Sequence, residues 1–74
     1  MNNEKNDYRF FGVEIVYAPK LKLSSSKIYV EYAQQMPEKS VRRLPGRDVH
    51  TAYFKNENDA EEYRNRYISI LAQI

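Results

Sequence analysis

Cysteine and tryptophan are absent from this sequence, and glycine, histidine and proline are scarce, at two, one and three residues among 74. Without cysteine there is no disulfide, no thiolate metal site and no cysteine nucleophile. Small extracellular domains usually carry disulfide staples, so a reducing, cytoplasmic setting is expected. Two glycines leave little for a phosphate cradle, and neither a Walker-type loop nor GxGxxG is present, so no nucleotide cofactor is expected. No apolar run approaches the roughly 20 residues of a membrane span, and no membrane partner is expected. Residues 1–7 are polar, lack the apolar stretch of a signal peptide, and read as a disordered lead-in to a single domain over 8–74.

What is present suits a folded chain: 42% hydrophobic, 30% charged and 14% aromatic, with seven tyrosines among the ten aromatic residues. A disordered chain of this length would have fewer aromatics and a larger net charge than +2. Chains this short bury only about 60% of their unfolded surface, so a modest stability is expected.

The strongest periodic signal lies at the end. Over residues 56–74 Ala60, Tyr63, Tyr67, Ile70, Leu71 and Ile74 recur at helical spacing. Asn56 and Asn58 are both N-cap types, and Asn58 with Glu61 has the spacing of a capping box. Glu57, Asp59, Glu61 and Glu62 crowd the first turn, where the helix dipole favours negative charge. They lack the loop spacing and glycine of a calcium site, so no metal is expected there.

Strands are expected before this helix. Residues 8–17 alternate Phe11, Val13, Ile15 and Tyr17 against Phe10, Gly12, Glu14 and Val16, as a central strand would. Gly12 marks a bulge or a close backbone approach. Residues 20–26 read as a loop with three serines at its tip, and 27–33 as a second strand. Ser40 to Leu44 is a candidate extra strand leading into Leu44-Pro45-Gly46-Arg47, whose Pro and Gly suit the two central positions of a type II turn. Residues 49–54 form the last strand. The expected architecture is a small two-layer α+β domain, a three-stranded antiparallel sheet with a candidate fourth strand and one C-terminal helix on one face.

Tyr63, Tyr67, Tyr32 and Tyr17 are expected in the core under that helix. Tyr29, Tyr53, Phe10 and Val16 then fall on the opposite sheet face. An uncovered face with several apolar side chains is a candidate contact surface, for a foreign protein or for a homodimer. Charge is also uneven: residues 38–55 hold five Lys/Arg against two Asp/Glu, while 56–74 hold two against four. Arg42, Arg43 and Arg47 flank the Pro-Gly bend, and arginine forks bind carboxylates and phosphates bidentately. His50, the single histidine, has no nucleophile paired with it by spacing and reads as structural. No catalytic constellation emerges.

Thr51-Ala52-Tyr53-Phe54-Lys55-Asn56-Glu57-Asn58-Asp59-Ala60-Glu61-Glu62-Tyr63 joins a strand ending in an aromatic to a capped acidic turn and a helix opened by alanine. With the three-stranded layout, it resembles the DNA-binding domains of tyrosine-integrase N-termini and plant ethylene-response factors. That resemblance implies nucleic-acid binding. This chain departs from the pattern in having no tryptophan and in carrying Glu14 and Glu31, whose carboxylates repel phosphate. Size and composition look equally like small phage or mobile-element proteins that inhibit a larger complex by binding it. The expected function is therefore non-enzymatic protein binding, as an inhibitor or adaptor, through Arg42, Arg43, Arg47, Tyr29, Tyr53 and Phe10. The alternative is DNA or RNA binding through Lys20, Lys22, Lys27 and the same arginines.

Overall fold

A computed structural model describes residues 7–21 and 23–72. The expected lead-in, apart from Asp7, lies outside them. Four strands precede one helix: β1 (Tyr8–Ala18), β2 (Leu23–Ala33), β3 (Ser40–Leu44), β4 (Arg47–Phe54) and α1 (Glu57–Ala72). The strands form one antiparallel sheet in the order β2-β1-β4-β3, so β1 is central and the candidate fourth strand is real. Segment 34–39 carries the chain from one edge of the sheet to the other, past the ends of β1 and β4. Both hairpin turns therefore lie at the opposite end.

The expected loop at 20–26 is shorter than the serines suggested. Pro19 and Lys20 occupy the central positions of a tight turn that the Leu21 N–H closes on the Ala18 carbonyl at 3.1 Å. Proline pre-sets φ for the first of those positions. Ser24, Ser25 and Ser26 then continue the ladder opposite Tyr17, Val16 and Ile15. Pairing along a formed neighbouring strand outweighs the weak turn preference of serine. At the second hairpin Gly46 takes φ +82°, as the type II turn requires. That two-residue turn is tight enough for Arg47 and Asp48 to pair with Leu44 and Arg43, so β4 starts two residues before the expected 49.

Helix α1 begins one half-turn earlier than the Asn58–Glu61 pair suggests. Asn56 is the cap: its Oδ1 accepts the Asp59 N–H at 2.9 Å, and its Nδ2 donates to Asp59 Oδ2 at 3.1 Å. The Ala60 N–H reaches the Asn56 carbonyl at 3.3 Å. Asn56 thus satisfies one first-turn donor as an N-cap, while the Asp59 carboxylate takes the Asn56 side-chain amide and not a backbone N–H as the Glu of a capping box would.

The inner, helix-covered face of the sheet holds the core. Val13, Ile15 and Ala60 are fully buried, with Phe11, Ile28, Phe54, Tyr63, Tyr67 and Ile68 packed around them. Tyr63 and Tyr67 thus occupy the expected interior stripe, and their rings run from Phe54 to His50. Three expected core residues do not. Ile70 is 54% exposed because the buried arc centres on Ala60 and Tyr67 and extends to Ile68 instead. Tyr32 is 51% exposed: it lies on the inner face, but on the edge strand beside Arg9, where no core residue packs over it. Tyr17 is half-buried opposite Asp48, outside the core cluster.

Candidate partner-binding face

The outer face is built around a missing side chain. Gly12, midway along the central strand, pairs with Tyr29 on one side and Tyr53 on the other. A Cβ there would stand 2.5 Å from Tyr29 Cζ and under 3 Å from both neighbouring ring carbons, so the Tyr29 ring lies directly on the glycine backbone. The two tyrosines meet edge to face across the gap, with centroids 6.1 Å apart and planes at 86°, and their hydroxyls share a 2.8 Å hydrogen bond. Edge-to-face rings suit the aromatic quadrupole, and the shared proton satisfies two hydroxyls with one contact.

Charges surround this pair. Lys27 sits 3.7 Å from Glu14 and 6.0 Å from the centroid of the Tyr29 ring. The register places Arg42, Leu44 and Arg47 on the same outer face, toward the turn end of the sheet, with Thr51 and Ser40 between them and Tyr53. Arg43 points to the inner side, where its guanidinium is 3.8 Å from Asp48 and remains largely solvated. The three arginines therefore do not form one cluster: the pleat of β3 sends the successive Arg42 and Arg43 to opposite faces. Lys20 occupies the other turn at that same end of the sheet, and Lys22 lies outside the described residues.

Phe10, expected among the contact residues, offers little surface. It is on the expected face but only 5% exposed, walled in near Met36 and Lys55, where segment 34–39 crosses the sheet end. Packing takes its area before any partner can. Tyr8, two residues earlier on the same side, is 66% exposed, a position that periodicity does not reveal because a strand's first residue carries no periodic signal. His50 is half-buried on the inner face, and its Nδ1 meets the Tyr67 hydroxyl at 3.0 Å, which ties β4 to α1. Among the described residues no group of three His, Asp or Glu side chains is placed to hold a metal ion, and no helix is long and apolar enough to cross a membrane.

Burial, foremost, and then the hydrogen bond to Tyr53 raise the Tyr29 phenol well above the ordinary tyrosine value of about 10. Burial also raises Tyr63, with neighbouring Tyr67 adding to it. The folded state therefore holds these protons more tightly than the unfolded chain. Their stabilisation is complete below about pH 10 and is lost as pH climbs through the raised values. A spectrophotometric titration of the folded protein should show Tyr29 lagging behind the ordinary tyrosine value, with unfolding accompanying its ionisation. Replacing Tyr53 by Phe should narrow that lag. A Tyr29 phenol that ionises at the ordinary tyrosine value in the folded protein would contradict the arrangement.

Fold and site together define an open-faced two-layer α+β domain, one sheet face closed by a helix and the other carrying a tyrosine bridge and arginines. Compared with known proteins, the chain matches no family model, no curated protein and no solved structure.

Proposed function

We propose that this chain is a non-enzymatic protein-binding module, a small inhibitor or adaptor, that engages its partner through the outer sheet face. The observation that carries this reading is the company on that face. Tyr29 and Tyr53 are held rigid by each other over Gly12, Arg42 and Arg47 share their side, and the helix packs only on the other. Tyrosine and arginine are the residues most enriched in binding hot spots. A pre-organised aromatic pair loses little conformational freedom on docking. A standard interface takes about 800 Å² from each partner, so a large part of one face of a molecule with 5773 Å² of surface would be engaged. The likeness to small phage or mobile-element inhibitors and a cytoplasmic setting agree with this reading.

The test uses affinity capture from the native host, followed by titration of the captured partner. Arg42→Glu with Arg47→Glu should weaken binding by about 1,000-fold, two hot-spot side chains costing about 2 kcal/mol each. Arg43→Glu, on the inner face, should change it little. Equal affinity for wild type, the Arg42/Arg47 pair and a Tyr53→Ala variant would defeat the reading.

One observation favours a second reading, nucleic-acid binding. The topology brings Lys20 to the same end of the sheet as Arg42, Arg43 and Arg47. Phosphate contacts release counterions, so binding would fall steeply with salt. Fluorescence anisotropy with a short duplex and a single strand separates the two: no binding even at low salt removes this reading.

A further inference from the structure

The two edges of the sheet are unlike. Strand β3 is five residues long and carries Arg42 and Arg43, the short, charged form that protects an edge from adventitious pairing. Strand β2 is eleven residues long, contains no proline, and pairs with β1 along its whole length. Among the described residues no strand lies on its other side. Its side chains hold a two-fold pattern. Lys27 and Glu31 flank Tyr29 on the outer face, each two residues away. Ile28 and Val30 flank it on the inner face, with Val30 45% exposed.

We propose that β2 pairs antiparallel with β2 of a second copy of this chain, in the register that sets Tyr29 opposite itself. Lys27 then faces the second copy's Glu31, and Glu31 faces its Lys27. Val30 covers the second copy's Ile28, and the reverse, which removes exposed apolar area on both sides. Opposite charges and apolar side chains set directly across antiparallel strands are the stabilising cross-strand pairs. Nearby registers do worse. Centring on Lys27 or Glu31 opposes like charges, and centring on Ile28 or Val30 sets neither charge against its opposite. A shift that opposes odd to even residues would mismatch the two faces.

A two-fold axis midway between the two copies of Tyr29 stands perpendicular to the sheet, so the contact is isologous and closes as a dimer. Both outer faces lie on one side of an eight-stranded sheet and both helices on the other. The two tyrosine bridges become neighbours at its centre, and the basic turns project at opposite ends. This pairing does not rest on the partner-binding reading, and its test involves no partner.

Sedimentation equilibrium of the full chain, up to about 1 mM to include weak association, should show a monomer–dimer equilibrium. Glu31→Lys sets like charges together twice and should weaken the dimer by about 10- to 100-fold. The exchanged pair Lys27→Glu with Glu31→Lys, made together with Glu14→Lys so that the ion pair to β1 stays opposed, restores the opposition and should return the dimer to near the original strength. Val30→Lys should weaken it through the inner face, and circular dichroism verifies that each variant is folded. A chain monomeric throughout that range overturns the proposal and leaves the edge to a strand of another protein. A dimer indifferent to Glu31→Lys, or one that the exchanged pair fails to restore, overturns it equally.

Discussion

Replacing Gly12 by alanine is expected to destabilise the domain by about 1–3 kcal/mol, the usual range for forcing atoms into a packed site. The methyl carbon would enter a space that the Tyr29 ring fills, 2.5 Å from Cζ. The ring cannot give way cheaply. Its hydroxyl is bonded to Tyr53 and its far edge faces that second ring, so displacement breaks both contacts. In a domain of this size each kcal/mol lowers the melting temperature by about 4–8 °C, and the loss should be plain in a thermal melt. The sharper measurement is a double-mutant cycle. Tyr29→Ala alone exposes the glycine backbone and strands the Tyr53 hydroxyl. In the Tyr29→Ala background Gly12→Ala should be neutral or stabilising, since alanine outperforms glycine in an unobstructed strand. Additive losses in the cycle would mean that the ring does not rest on the glycine.

Ile15→Ala should have the largest effect of any single truncation, about 2–5 kcal/mol by lost transfer energy and the cavity left behind. Ile15 has no exposed surface and is, with Val13, the largest side chain fully enclosed. It lies in the central strand beneath α1, flanked by Ser26 and His50 on the neighbouring strands. Neither neighbour can fill an apolar void. Domains of this length rarely hold more than about 5 kcal/mol of stability, so the variant should be substantially unfolded at room temperature by urea titration followed by circular dichroism. Val41→Ala truncates a β-branched side chain that is 48% exposed and should change stability little. A small loss from Ile15→Ala would place the core elsewhere.

The two predictions draw on different parts of what the chain discloses. The period-2 alternation of β1 was legible because Val13 and Ile15 are apolar and two apart, and burial followed from that alternation. Gly12 was legible as a place of close approach, but nothing in the order of residues says which side chain approaches. Tyr29 is 17 positions away and Tyr53 a further 24, and only the pairing of β1 with both neighbours puts them over one glycine. The same limit explains Phe10 and Tyr32. Alternation assigned each a face correctly, yet it is silent on how far a helix or a crossing segment extends over that face. The arginines of the second hairpin were legible as a charged group, while their division between the faces follows from the residue-by-residue register of β3 on β4.

By itself the sequence determined the local matters: four strands or three with a fourth in view, the Pro-Gly turn, an asparagine-capped helix and its tyrosine stripe. These depend on φ preferences, side-chain period and capping within a few residues. Only the tertiary structure decided that β1 lies between β2 and β4, that two distant tyrosines bridge a glycine, and that a long strand forms one edge of the sheet while a short basic one forms the other. Those follow from strand order and register, which are settled by which surfaces bury together across the whole chain, a sum over distant contacts that no neighbouring residues encode.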